Sequence, residues 1–134
     1  MRNSVGLLIE SQQKAIRAAT AAVNKHAESV VVMDLRELSS VADFFVVATA
    51  ASHPQMRAIT EAIEESFKRI GTRVGHVEGV SESRAAKAKS GELLSWVLMD
   101  CGSVVVHLFD PPARTFYQLE RLWGDAPRIP FNSH

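Results

Sequence analysis

The second half of the sequence contains two apolar runs that are separated by a short polar link. The runs are Trp96 to Met99 and Val104 to Phe109, and the link contains Gly102. Because glycine tolerates the positive φ that a tight turn requires, this pattern predicts a β-hairpin. Val104 to Val106 are β-branched in succession, which indicates a strand that is covered on both faces in the middle of a sheet. The hairpin should therefore lie at the centre of the fold.

The residues after the hairpin predict a short helix. Asp110 and the two prolines that follow it should end the second strand, because proline has no N–H for a strand ladder. Thr115 and Gln118 have the spacing of a capping box, and Gly124 is placed to end the helix. The helical period leaves Tyr117 outside the buried stripe. That stripe consists of Phe116, Leu119 and either Leu122 or Trp123.

The first half of the sequence predicts helices and strands in alternation. Leu8 to Lys25 has the spacing of an amphipathic helix with many inward alanines, so it should lie close to its neighbour. A second helix should begin after Ser52 and end at Gly71. The strands on either side of this helix should run parallel and be joined by a right-handed crossover. The predicted strands of this half are Ser29 to Leu35, Asp43 to Thr49 and Arg73 to Glu78.

Two segments lack any apolar period. Ser81 to Gly91 contains small and basic residues, which predicts an exposed loop of unusual length; a short helix from Ala85 to Lys89 is the alternative. Arg128 to His134 is predicted to be a flexible tail. The regular part of the chain, residues 1–127, should therefore form a single domain.

The composition limits which partners the chain can attract. Lys plus Arg and Asp plus Glu are 15 each among 134 residues, so no net charge draws the chain to nucleic acid or to anionic lipid. The single cysteine, Cys101, excludes an internal disulfide and a multi-cysteine zinc site, and it favours a cytoplasmic location. No run approaches the ~20 apolar residues of a membrane span.

Several separated motifs resemble those of the ribosomal silencing factor family, also called Iojap-like. The resemblance covers about residues 8 to 127. Its strongest parts are Trp96 to Asp100, Gly102, Val105 to His107, and Phe116 to Ala126. Earlier parts in the same order are Val32 to Leu35, Leu38 to Ser40, Ala42 to Val46, and Val77 to Gly79. The chain departs from the family in an insertion over residues 81–95 and in Ser103, where family members generally carry an acidic residue.

The resemblance implies an α/β domain with a mixed, roughly five-stranded sheet flanked by helices, similar to the nucleotidyltransferase fold. It also implies a protein that binds the large ribosomal subunit through its fourteenth protein, uL14, and sterically blocks joining of the small subunit. Translation would then fall under nutrient limitation, without catalysis, cofactor or metal. Family members often form homodimers. The binding residues that the resemblance assigns are Trp96, Asp100, His107, Tyr117, Glu120 and Arg121.

Other interpretations of the same residues remain open at this point. A metal-dependent nucleotidyltransferase would need Asp34, Asp43 and Asp100 to converge, although the sequence has no paired carboxylates. A homodimeric scaffold without a ribosomal role would bury Trp96 and Tyr117 between two copies. Trp96 could also simply cap the core, and a lone histidine in an apolar strand, such as His107, is more often a packing residue than a ligand.

Overall fold

A mixed sheet with two long helices on one side forms the body of the molecule. The computed structural model describes residues 2–78, 86–87 and 93–131. The elements are α1 (Arg2–Asn24), β1 (Glu28–Asp34), β2 (Phe44–Thr49), α2 (His53–Arg69), β3 (His76–Glu78), β4 (Ala86–Lys87), β5 (Leu93–Leu94), β6 (Trp96–Cys101), β7 (Val104–Phe109), α3 (Pro111–Tyr117) and α4 (Leu119–Leu122). The prediction of one α/β domain with a mixed sheet is confirmed.

The strand order β1-β2-β7-β6-β3 puts the predicted hairpin strand β7 at the centre of the sheet. β6 and β7 pair antiparallel around Gly102, whose φ is 81°. β7 pairs in parallel with β2, whereas β1 and β3 pair antiparallel with their neighbours. β2 and β3 therefore run in the same direction, as the strand-helix-strand pattern predicts, with β7 and β6 lying between them.

The first two helices cover one face of this sheet. α1 packs through buried alanines, including Ala15, Ala18 and Ala22, which confirms the close approach that its sequence predicts. Ser52 caps α2, and its Oγ accepts a hydrogen bond from the Gln55 N–H at 3.2 Å. The core on this side also contains alternate residues of β2, β6 and β7, as strand geometry requires. The opposite face of the sheet is left for the rest of the chain.

The segment after β7 differs from its prediction. Asp110 and the two prolines begin a helix as well as ending the strand, since the Asp110 Oδ1 accepts a hydrogen bond from the Ala113 N–H at 2.9 Å. Thr115 and Gln118 form no capping box. Gln118 instead adopts the left-handed conformation (φ 45°, ψ 46°) and separates α3 from α4. This break changes the phase of the helical period, so Leu122 is 74% exposed and does not join the core.

The chain after α4 returns to the sheet. The Asp34 N–H donates to the Pro127 carbonyl at 2.8 Å, and the Ile129 N–H donates to the Val32 carbonyl at 2.9 Å. Residues 127–129 thus follow the edge strand β1, and the first part of the predicted tail contacts the sheet. Covering the edge in this way protects its backbone groups from pairing with another chain.

The predicted loop and insertion over residues 81–95 fall largely outside the described residues. Within it, β4 and β5 form a short antiparallel pair, so the alternative of a helix over residues 85–89 is wrong at Ala86 and Lys87. Ser95, at the end of this segment, is buried. The segment therefore enters β6 through a buried residue that directly precedes Trp96.

Replacing Ile129 with proline tests the pairing along β1. Proline removes the N–H that donates to Val32, so we expect the free energy of unfolding to fall by about 1 kcal/mol more than in Ile129→Ala. The alanine variant keeps the N–H and accounts for the lost side chain. Urea titration measures both. Equal stabilities of the two variants would show that this pairing contributes nothing.

Candidate functional site

The face of the sheet opposite α1 and α2 is lined by aromatic rings. The strand register places Trp96 beside Phe109, and it places Phe45 two residues from the position that pairs with His107. The chain after β7 adds Tyr117 and Trp123, which pack against the same side. We call this surface the aromatic face, and its rings are Phe45, Trp96, His107, Phe109, Tyr117 and Trp123.

Trp96 and Tyr117 lie next to each other on the aromatic face. Their ring centroids are 4.8 Å apart, and Trp96 also lies 5.3 Å from Phe109. Both side chains are half-buried. The helical period predicted that Tyr117 lies outside the packed side of its helix. In the structure, Tyr117 instead packs against the core. It and Trp96 form one joined aromatic pair that is partly open to solvent.

His107 lies beneath this pair and is only 4% exposed. The Trp96 Nε1–H donates to the His107 Nδ1 at 3.2 Å, and the Phe45 ring meets the imidazole edge-on at 4.5 Å between centroids. Since an indole nitrogen only donates, Nδ1 must be the unprotonated nitrogen and Nε2 must carry the proton. Burial lowers the pKa of His107 to about 4, so the ring is neutral at pH 7.

The Nε2–H of His107 is buried and has no hydrogen-bond partner among the residues that the structure describes. An unsatisfied buried donor costs about 1–3 kcal/mol of stability. Within the described part of the chain, His107 is thus a packing residue with one unsatisfied donor. Because the side chain is buried, it does not reach a partner on the surface directly, and its connection to the surface is the hydrogen bond with Trp96.

The main chain at Trp96 is held by its neighbour Ser95. The Ser95 N–H donates to the Asp110 Oδ2 at 3.1 Å, and the Asp110 N–H donates back to the Ser95 carbonyl at 3.1 Å. The Ser95 Oγ also lies 2.6 Å from the His53 Nε2 at the start of α2. These contacts join the beginnings of α2, β6 and α3. Trp96 therefore has a fixed backbone despite the long segment before it.

The charged residues among the predicted binding residues differ in how exposed they are and in whether they already form an ion pair. Asp100 is exposed, and its Oδ1 accepts a hydrogen bond from the Gly102 N–H at 3.0 Å. The Glu120 carboxylate accepts from the Arg114 Nε at 2.7 Å, which holds the pKa of Glu120 below its usual range. Arg114 donates as well to the Thr49 Oγ1 at 2.8 Å. Arg121 is exposed, so Asp100 and Arg121 are the more open charges.

Ser103 has a structural place in the hairpin turn. Its carbonyl accepts hydrogen bonds from the Asp43 and Phe44 N–H groups, and its Oγ lies 2.8 Å from the Ser11 Oγ. Ser11 in turn donates to the Asp43 Oδ2 at 3.2 Å. An acidic residue at position 103 would bring a second carboxylate close to Asp43. The serine therefore fits the local charge and ties the turn to α1.

The described residues give little support for other chemistry. Among residues 2–78, 86–87 and 93–131, no three His, Cys, Asp or Glu side chains are grouped to hold a metal ion. Burial raises the pKa of the Cys101 thiol to about 12, so this thiol is a poor nucleophile. In the same parts of the chain, a helix with the length and apolarity needed for a membrane span is not found.

Comparison with known proteins identifies the family to which this chain belongs. Residues 9–134 match the family model described as "Ribosomal silencing factor during starvation". The chain belongs to the ribosomal silencing factor family. It is 39% identical over 110 residues to the ribosomal silencing factor of Bacillus subtilis, covering 82% of this chain and 84% of the relative. The resemblance deduced from the motifs is thus confirmed.

The chain is also similar to plant proteins and to solved structures. The chloroplastic protein Iojap of Arabidopsis thaliana is 36% identical over 122 residues, which are 90% of this chain and 45% of the plant protein. A crystal structure of a Chromobacterium violaceum protein matches with a TM-score of 0.72 and 30% identity, covering 90% of this chain and 91% of that one. The fold is therefore shared with solved proteins as well as the sequence motifs.

The structure brings together three of the six residues that the silencing-factor resemblance assigned: Trp96, His107 and Tyr117. Asp100 lies at the hairpin turn, whereas Glu120 and Arg121 lie on α4. Sequence reasoning missed Leu98, which alternation from Trp96 places on the same side of β6, and the exposed Leu122. It also missed the positioning contacts of Ser95 and Arg114, for which no local pattern exists.

The low pKa of His107 predicts a pH dependence of stability. Above its unfolded pKa of 6.5 the histidine is neutral in both states, so it adds no slope. Between pH 6.5 and about 4 only the unfolded chain binds the proton. The free energy of unfolding should therefore decrease as the pH is lowered through this range, by about 3 kcal/mol in all. Urea titrations across this range should show a shallower slope in His107→Asn. Identical slopes would contradict the assignment.

Asp110 should be important for presenting Trp96. Asp110→Ala removes the cap of α3 and the acceptor for the Ser95 N–H, so we expect unfolding free energy to fall by about 1–3 kcal/mol. Asp125→Ala, which removes an exposed carboxylate, is the control and should change stability by less than about 0.5 kcal/mol. Equal effects of the two variants would contradict this role.

Proposed function

We propose that this protein binds the large ribosomal subunit through its aromatic face and keeps the small subunit from joining. The observation that carries the proposal is the joined Trp96–Tyr117 pair, which lies half-exposed on the side of the sheet away from α1 and α2. Membership of a family of ribosomal silencing factors makes the ribosome the natural partner. The finer proposal is that the contact is made with the large-subunit protein uL14.

The side chains on this face suit a protein interface. Trp and Tyr are enriched among the residues that contribute most to binding, and such residues lie near interface centres. Trp96 and Tyr117 would form the centre, with Leu98 and Leu122 as apolar neighbours. His107 would act from below, because its own side chain is buried. The aromatic face thus offers a preformed apolar centre.

Charged residues would form the rim of the contact. Asp100 and Arg121 are exposed, and Glu120 is partly neutralised by Arg114. Asp100 would meet a basic residue of the ribosomal partner. Rim charges of this kind set the register and the association rate more than the affinity. Ser103 contributes no rim charge, since its hydroxyl lies against Ser11.

The proposed mechanism is steric. A bound protein of this size would occupy the surface on which the small subunit joins, so the two subunits could not associate. Translation would fall, as suits nutrient limitation, and no bond would be made or broken. The protein would act in the cytoplasm, without a cofactor or metal, as a single domain of residues 1–127 with a nucleotidyltransferase-like fold and an insertion over residues 81–95.

Self-association is a second candidate use of the same face. Two copies that joined through Trp96 and Tyr117 would bury both aromatic side chains. Such a homodimer would compete with ribosome binding, because one face would serve both contacts. The other rival, a metal-dependent nucleotidyltransferase, required Asp34, Asp43 and Asp100 to converge; in the described parts of the chain these carboxylates form no metal-binding group.

Co-sedimentation with isolated large subunits tests the proposal. Tyr117→Glu places a charge at the proposed interface centre, so we expect affinity to fall by about thirty-fold or more, equivalent to ~2 kcal/mol. Gln13→Glu introduces the same side chain on the exposed surface of α1 and is the matched control. Addition of small subunits should then give fewer joined ribosomes with the wild type and the control than with Tyr117→Glu.

Two results would contradict the proposal in different ways. Failure of the wild type to bind at any concentration would exclude the ribosomal function. Equal loss of binding in Tyr117→Glu and Gln13→Glu would exclude the aromatic face as the contact. Unfolding curves of both variants should accompany the binding measurement, since a folded Tyr117→Glu protein is required.

A further inference from the structure

The orientation of Trp96 depends on a buried residue. Resting on the proposed function, we propose that His107 is a positioning residue, which holds the Trp96 indole in the orientation that binds the large ribosomal subunit. His107 and Trp96 occupy diagonal positions on neighbouring strands, because Leu98 pairs with His107 and Trp96 pairs with Phe109. The two side chains therefore lie on one face, within reach of each other.

The contact between the two rings is directional. The Trp96 Nε1–H donates to the His107 Nδ1 at 3.2 Å, and the ring planes are tilted by 33°. The rings of Phe109 and Tyr117 also pack against the indole, at 5.3 and 4.8 Å between centroids. Ring contacts tolerate sliding and rotation, whereas a hydrogen bond to a fixed acceptor does not. The imidazole thus determines which edge of the indole faces inward.

The acceptor itself is rigidly placed. His107 lies on the central strand β7, between β2 and β6, and is 4% exposed. Phe45 on β2 packs edge-on against the imidazole at 4.5 Å between centroids. A side chain held from beneath in this way orders its neighbour before a partner arrives, which lowers the entropy cost of binding.

Packing alone does not explain a histidine at this position. Its Nε2 is buried and has no hydrogen-bond partner in the described parts of the chain, so an apolar side chain of similar size would fit without an unsatisfied donor. What a histidine adds and a leucine lacks is the acceptor at Nδ1. This acceptor, which receives the Trp96 N–H, gives His107 a role that an apolar side chain could not fill.

Two substitutions separate positioning from packing. His107→Leu removes the acceptor and fills the space, so the unfolding midpoint should be at or above that of the wild type while affinity for large subunits falls about tenfold. His107→Asn keeps an acceptor near the position of Nδ1. It should bind within about threefold of the wild type even though its unfolding midpoint is lower.

The indole N–H resonance of Trp96 gives a readout that does not involve the ribosome. The chain has two tryptophans, so Trp123→Phe assigns the two signals. We expect the Trp96 signal to shift upfield and to exchange faster with solvent in His107→Leu, and to stay near its wild-type position in His107→Asn. A purely structural role for His107 would predict lower stability in both variants and no dependence of binding on the acceptor.

The outcomes distinguish this inference from the proposed function. Wild-type binding together with unchanged indole signal or unchanged affinity in His107→Leu would overturn the positioning role and leave the proposed function intact. Absence of wild-type binding would overturn the proposed function and, with it, the role of His107 in docking. A shifted indole signal would then show only that the hydrogen bond exists.

Discussion

Burial of the central strand β7 on both faces is the constraint on which the rest of the structure depends. One face of the strand packs under α1 and α2, where alanines allow the helices to come close. Among the residues that the structure describes, the other face packs against the short helices α3 and α4 and the aromatic side chains near them. The aromatic face is thus the less covered side among the described residues, and it is the surface that we propose for partner binding.

The contacts that support the aromatic face come from distant parts of the chain. Ser95 and Asp110 bind each other where the hairpin begins and where it ends, and so fix the backbone there. Arg114 joins α4 to β2 through Glu120 and Thr49. These links hold Trp96 and Tyr117 in place from the side. His107 holds Trp96 from below at a cost in stability, because its Nε2–H is unsatisfied among the described residues. Such a cost is common where a residue serves binding more than folding.

Local patterns in the sequence predicted most of the regular structure. Glycine at position 102 and the β-branched run after it predicted the hairpin, and Ser52 predicted the start of α2, because these signals depend on nearby residues. The left-handed Gln118 and the pairing of Ile129 with β1 had no such signal. Both depend on tertiary contacts, so the choice of Trp123 rather than Leu122 for packing and the contact of residues 127–131 with β1 could not be predicted from local patterns.

The candidate site was predicted only as a set of residues. The family motifs identified Trp96 and Tyr117, but their contact requires β6 and α3 to be brought together by the fold. The position of His107 in an apolar run favoured a packing residue over a ligand, and its burial agrees with that interpretation. The hydrogen bond between His107 and Trp96 depends on which residues of β6 and β7 lie opposite each other. The sequence pattern of either strand alone does not specify this register.

Oxidative footprinting of side chains by hydroxyl radicals, with and without large ribosomal subunits, tests the central claim most directly. The account predicts that Trp96, Tyr117 and the exposed Leu122 become protected in the complex. Ile70, which is also exposed but lies at the end of α2, should react as before. Protection of Ile70 without protection of Trp96 and Tyr117 would show that the protein binds through its helical side, and would contradict the account.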